Sequence, residues 1–226
     1  MKNQAFWDFF TEVAEPRLHK RASTFRHMFE YMDLFDRPVV IVETGCLRDT
    51  NGWVGDGMST YQFDQYVQHR NDGSFCISVD LHPGAVQACQ SIVSARTFVH
   101  QAESVKFLAN LVRTLQAEGR WIDLLYLDSM DVDFQYWQAS AAHHLKELSV
   151  CMPRIHKDTL VVVDDSPCHA SLTHKADGSF DVGLHELRVG GKGTLIAQVA
   201  EAQEAQALFL SYQVGWTQFV SQEIHT

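Results

Sequence analysis

Cysteine, proline and basic charge are all scarce in this 226-residue chain, and each shortage removes a class of answer. The five cysteines (Cys46, Cys76, Cys89, Cys151 and Cys168) are odd in number and form no CxxC pair. Buried reduced thiols are therefore expected, rather than a zinc site or a disulfide framework. Five prolines leave no proline-rich linker, and no repeat or low-complexity tract divides the chain, so a single domain over 1–226 is expected. Lysine plus arginine number 18 against 28 aspartate plus glutamate, for a formal charge of −10. A surface of that sign repels phosphate backbones, so nucleic acid is not an expected partner. No apolar run approaches the roughly 18 residues that a spanning helix needs, so no membrane segment is predicted. The opening residues, MKNQAFWDFFTEVAE, carry acids inside their apolar stretch and no small-residue cleavage site. A cytoplasmic location is expected from that.

What is present is a globular balance, 46% hydrophobic and 20% charged. Residues 1–36 read as two helices separated near Pro16. In the second, Leu18, Phe25, Met28, Phe29, Met32 and Phe35 recur at the spacing of one buried face. Phe6, Trp7, Phe9 and Phe10 of the first pack either within the subunit or across a homodimer. From 37 onward, short apolar runs at 39–42, 75–79, 122–127 and 160–163, with a weaker one at 97–99, alternate with amphipathic stretches. Val86, Cys89, Ile92 and Val93 form one stripe; Val105, Leu108, Leu111, Val112 and Leu115 form another. A third comprises Phe134, Trp137, Ala141, Leu145 and Leu148. Runs without polar alternation suit parallel strands covered by helices on both faces. After Gly193, segments 194–199 and 208–214 are predicted as a terminal antiparallel strand pair. The expectation is an α/β fold, a doubly wound, mostly parallel sheet.

Each of the four strong runs ends at a carboxylate: Glu43, Asp80, Asp128 and Asp164. In such sheets ligands bind beyond the carboxyl ends of the strands, where the strand order reverses. Four acids on one edge repel unless a cation, a donor network or a ligand intervenes.

The stretch VVIVETGCLRDTNGWVGDGMSTYQFDQYV places a strand, a glycine turn and a long loop before a helix that begins near Gly57 or Met58. A dinucleotide would need GxGxxG with its pyrophosphate on the helix N-terminus, and no such spacing occurs here. Glu43, Asp49 and Asp56 outnumber Arg48 and disfavour a pyrophosphate. They favour a cofactor that carries an ammonium and a sulfonium, as S-adenosylmethionine does.

These residues resemble the class I S-adenosylmethionine-dependent methyltransferases over about 39–214. The ETGC segment is similar to that family's first motif, E/D-x-G-x, with a longer loop before the helix. Asp80 in ISVDLHPG resembles the acid that accepts hydrogen bonds from the ribose hydroxyls. Gln101, Ala102, Glu103 and Ser104 fall where the family contacts adenine, and IDLLYLDS resembles its fourth-strand motif. The resemblance implies a seven-stranded Rossmann-like sheet with an antiparallel last strand and an amino-terminal helical lid. It also implies cofactor contacts from Glu43, Thr44, Gly45, Gly57, Ser59, Thr60, Asp80, Leu81, Ala102, Glu103 and Asp128.

Asp128, with Asp164 and Asp165, ends adjacent strands about 4.8 Å apart, close enough to share one ion. Carboxylate oxygens without Cys or His at ligand spacing select Mg²⁺, Ca²⁺ or Mn²⁺. The arrangement resembles the metal-dependent small-molecule O-methyltransferases of the catechol and macrocin types, which implies Asp128, Asp164 and Asp165 as ligands. The catechol branch has asparagine where this chain has Asp165, which points to the sugar-modifying side. An ion lowers the pKa of a bound hydroxyl, and a base then takes its proton. Related sugar-modifying enzymes carry histidine at the offset of Asp131, so the base is open between Asp131 and His169. His143 and His144 fall on a predicted helix and read as structural.

Segment 166–192 combines Gly, Ser, His and Asp with little periodicity, as a functional loop does. It is expected to shape a pocket for a hydroxylated small-molecule acceptor. Trp53 reads equally as a hydrophobic plug or an acceptor-stacking ring, and Lys192 as meeting a carboxylate or the substrate. The leading expectation is an O-methyltransferase assisted by a divalent metal such as Mg²⁺. A non-catalytic cofactor-binding module and an NAD-dependent oxidoreductase are the alternatives.

Overall fold

Strands whose side chains are apolar on both faces can be buried only between two helical layers, and the apolar runs of this chain fold in that way. The computed structural model describes residues 3–133, 135–168, 171–174, 176–177, 180–183 and 188–220. The amino-terminal segment is helical almost throughout. Helix α1 (Gln4–Phe9) passes through a π turn (Phe10–Ala14) and two 3-10 turns (Glu15–Arg17 and His19–Arg21) into α2 (Ala22–Met32). There follow β1 (Val40–Thr44), α3 (Ser59–Arg70), β2 (Phe75–Asp80), α4 (Pro83–Gln90) and β3 (Thr97–Gln101). Next come α5 (Ser104–Ala117), β4 (Ile122–Leu127), α6 (Gln138–Cys151) and β5 (Ile155–Val163). The chain then forms β6 (Ser171–His174), β7 (Phe180–Gly183), α7 (Thr194–Ala202), β8 (Gln206–Leu210) and β9 (Val214–Thr217).

Seven strands form one sheet in the order β3-β2-β1-β4-β5-β9-β8. Strands β1 to β5 pair in parallel, and β9 lies antiparallel between β5 and β8. This is the doubly wound, seven-stranded Rossmann-like sheet with an antiparallel last strand that the resemblance implies. The order reverses between β1 and β4, which opens a crevice at their carboxyl ends.

Alternate residues of β4 divide between two cores. Leu124 and Tyr126 join one with the rings of α2 and α3; Leu125 and Leu127 join the other, with Leu108, Leu148 and Ile196. The amino-terminal rings are spent inside the chain. Phe6, Phe10, Phe25 and Phe29 are fully buried. Phe6 meets Phe29 edge-on at 4.6 Å between centroids, and Phe29 stacks on Tyr66 at 5.1 Å. Each such ring contributes about 1.5–3 kcal/mol by leaving water. The segment is thereby fixed against the sheet, and its His19–Arg21 turn is held at the strand ends.

The structure corrects the carboxyl-terminal prediction. Segment 194–199 is not a strand but the first two-thirds of α7. A short apolar run does not distinguish the two by periodicity. Here Ala197, Ala200 and Ala202 favour a helix, and Ile196 and Ala200, four apart, share its buried side. The antiparallel pair is β8 with β9, and a turn at 211–213 splits the run expected at 208–214. Segment 166–192, expected to lack regular structure, contains the β6–β7 hairpin. Of the third predicted stripe, Phe134 lies outside the described residues. All five cysteines are buried and unbridged, as expected. No helix among the described residues is long and apolar enough to cross a membrane.

Candidate functional site at the carboxyl edge

Strand register sets the edge. Thr44 pairs with Val79 and with Leu127, and Leu127 with Val163, so the next residues (Gly45, Asp80, Asp128 and Asp164) emerge in one row. At Gly45 the chain turns with φ +81°, and a Cβ would collide with the carbonyl of Asp128. Only glycine fits that turn. Beyond it opens a cavity of about 360 Å³, walled by Gly45, Ser59, Asp80, Leu81, Asp128 and Asp131 among others. That volume lies within the range of small-molecule sites.

Asp80 is held by main chain alone. Its Oδ2 accepts from the Cys46 N–H at 3.1 Å and its Oδ1 from the His82 N–H at 2.7 Å. Among the described residues no cation pairs with it. Leu81 stands beside it, exposed.

The other predicted cofactor residues divide. Ser59 reaches the cavity wall, whereas Glu43, Thr44 and Thr60 lie beneath it, buried. Glu43 accepts from Ser59 Oγ at 2.5 Å, Thr60 Oγ1 at 2.6 Å and Ser78 Oγ at 2.5 Å, which ties the start of α3 to β1 and β2. Burial pushes its carboxyl up to about 7 against the pull of those three hydroxyls. Thr44 Oγ1 donates at 3.0 Å to Glu147, which also takes Ser129 Oγ at 2.6 Å. Gly57 sits against Arg21 rather than the cavity. The N–H of Ala102 donates to the carbonyl of Asp80 at 3.0 Å, and Glu103 caps α5 through the N–H groups of Val105 and Lys106. Neither lines the cavity.

On the acceptor side, Asp131 is on the cavity wall, exposed, and paired with Arg48 at 3.1 Å; Arg48 also grips Asp56 at 2.8 Å. His169 lies outside the described residues. Trp53 is buried and meets Tyr61 edge-on, so of its two readings the plug is the one that folds. His143 bonds Ser104 Oγ at 3.0 Å and Glu147 at 3.3 Å, and the Nδ1 of buried His144 bonds the carbonyl of Ser140, so both serve the structure.

Asp128, Asp164 and Asp165 do converge: one oxygen of each lies within 4.8 Å of the others. They are not, however, a bare acidic rim. Lys192, fully buried, sets its Nζ against Asp128 Oδ1 and at 3.0 Å from Asp165 Oδ2. Arg21, from the amino-terminal turn, places Nε at 3.1 and 3.0 Å from the two oxygens of Asp164 and Nη2 at 3.3 Å from Asp165. The Tyr212 hydroxyl donates to Asp165 Oδ1. Burial raises Asp128 well above the carboxylate range, with Lys192 opposing. At Asp165 burial also pushes upward, but Lys192, Tyr212 and Arg21 outweigh it and hold the group low. Five of the six carboxylate oxygens already have a protein donor, and a resident divalent metal does not fit them.

Sequence reasoning left Lys192 open and did not find Arg21 or Tyr212. Lys192 meets carboxylates. Arg21 stands 143 residues from Asp164, and no local pattern marks such a pair.

No protein-family model matches the chain, and no curated protein matches it. Solved structures similar to it include a DhpI-SAH complex, with 8% identity over 96% of this chain and 93% of that one and a TM-score of 0.45. A DhpI-SAM-HEP complex shares 9% identity over 95% and 94%, with a TM-score of 0.44. A pericyclic reaction enzyme shares 12% over 81% of this chain and 44% of that one, with a TM-score of 0.43. At such values these likenesses carry no functional weight.

Proposed function

We propose that the chain is an S-adenosylmethionine-dependent O-methyltransferase that acts on a hydroxyl of a small molecule, a sugar or natural product. The observation that supports this is Asp80: a carboxylate on the wall of the switch-point cavity, oriented by two N–H groups and, among the described residues, opposed by no cation. Such a group accepts hydrogen bonds from a vicinal diol, as a ribose presents. The Gly45 turn lets the main chain approach the same ligand closely. Bound there, the cofactor would supply an electrophilic methyl group on a positively charged sulfur.

The chain's own residues would do the rest. Of the acids that wall the cavity, Asp56 and Asp131 share Arg48 and Asp128 is met by Lys192, so among the described residues Asp80 is the carboxylate left to favour a cationic ligand over a diphosphate. Holding the acceptor hydroxyl in line with the methyl group supplies much of the rate. Asp131, paired with Arg48 at 3.1 Å and exposed on its other side, takes the acceptor's proton on its carboxylate.

Thermal-shift measurements separate the alternatives. S-Adenosylmethionine should raise the melting temperature, and NAD(H) should leave it unchanged. Stabilisation by NAD(H) alone would replace this reading with that of an oxidoreductase. Cofactor binding with no methylation across a broad panel of hydroxylated metabolites would leave a binding module.

A further inference from the structure

The two cations at the ends of β4 and β5 have a consequence for metal chemistry. We infer that Lys192 and Arg21 are resident counter-ions that close the Asp128–Asp164–Asp165 cluster to divalent metals. If the chain transfers methyl groups as proposed, it does so without a bound ion.

Five of the six carboxylate oxygens accept from Lys192, Arg21 or Tyr212. A hard divalent ion needs about six oxygens around it, so it would have to strip these donors away and lie beside an ammonium. The ammonium is also built in rather than adventitious. Lys192 rides on the Gly191–Gly193 turn, its N–H donates to the carbonyl of Asp165 at 3.2 Å, and a Cβ at Gly193 would press on Ser166. Arg21 is anchored equally well, with Nη1 on the carbonyl of Val54 at 3.3 Å and its guanidinium 4.9 Å over the Tyr212 ring. The fully buried Asp164 is thus neutralised from a segment fixed by the amino-terminal rings. Opposite charge in a dry site is worth more than at the surface, and each partner's removal exposes the others.

Mn²⁺ is the probe, because the electron paramagnetic resonance signal of the free aquo ion is lost on binding. Titrated into the wild-type protein without any cofactor, Mn²⁺ should keep its free signal. Lys192→Met should bind the ion at least about tenfold more tightly than the wild type, and Lys192→Arg, which keeps the charge, should not. Tight binding by the wild type would overturn the inference whatever the variants do, and so would a folded Lys192→Met that gains nothing. The readout involves neither S-adenosylmethionine nor turnover, so its failure and the failure of the methyl-transfer reading are distinguishable.

Discussion

The two halves of the carboxyl edge use the same residue type to opposite ends. Beside the crevice, Asp80 closes β2 and, among the described residues, is held by N–H groups alone, so its carboxylate faces the cavity. One strand pair away, Asp128, Asp164 and Asp165 close β4 and β5 and are met by Lys192 and Arg21. A strand-end aspartate is therefore no indicator of a ligand by itself. Whether it recognises something depends on whether the fold has already supplied the opposite charge.

The largest expected effect breaks the closed half. Lys192→Met leaves Asp128 and Asp165 without their ammonium and should lower stability by about 3–5 kcal/mol, read by urea denaturation at neutral pH. A change below about 1 kcal/mol would mean that the ammonium is not the counter-ion described here.

The open half is sharpened by the carboxyl beneath it. Glu43 has a folded pKa of about 7 against an ordinary value near 4.5. Its folded form holds a proton more tightly than the unfolded chain, so its contribution is complete below pH about 4.5 and is lost as pH rises through about 7. The loss amounts to roughly 3 kcal/mol at most. Glu43→Gln should remove that part of the decline, so that melting curves of variant and wild type diverge between pH 5 and 8. Parallel curves would refute the shift.

The smallest effect on stability belongs to the rim. Asp131→Asn breaks an exposed ion pair with Arg48 and should change stability by less than about 1 kcal/mol. If Asp131 is the base, turnover should fall by about 10²–10⁴-fold with little change in cofactor affinity. Undiminished turnover would exclude that role.

Much of this frame was legible in the sequence because parallel strands, buried on both faces, leave unbroken apolar runs. The four strand-end acids and the ETG turn follow from the same pattern, and the buried cysteines from their spacing. What was not legible is long-range. Arg21 reaches Asp164 only because Phe6, Phe25 and Phe29 pin the amino-terminal helices to α3 and β4, which no local spacing encodes. The apolar run at 194–199 suits a strand or a buried helix, and its alanines together with packing on α6 decide for the helix. The charge balance of the edge is hidden in the sequence for the same reason. The acids announce themselves at strand ends, whereas their counter-ions arrive from distant turns.

Calorimetry with S-adenosylmethionine on the wild-type protein and on Asp80→Ala addresses the open half most directly. Binding by the wild type that weakens by about 10–100-fold in the variant, at unchanged stoichiometry and with the variant folded, is the expected result. Equal affinity in the two proteins, or no heat of binding in either, would contradict it.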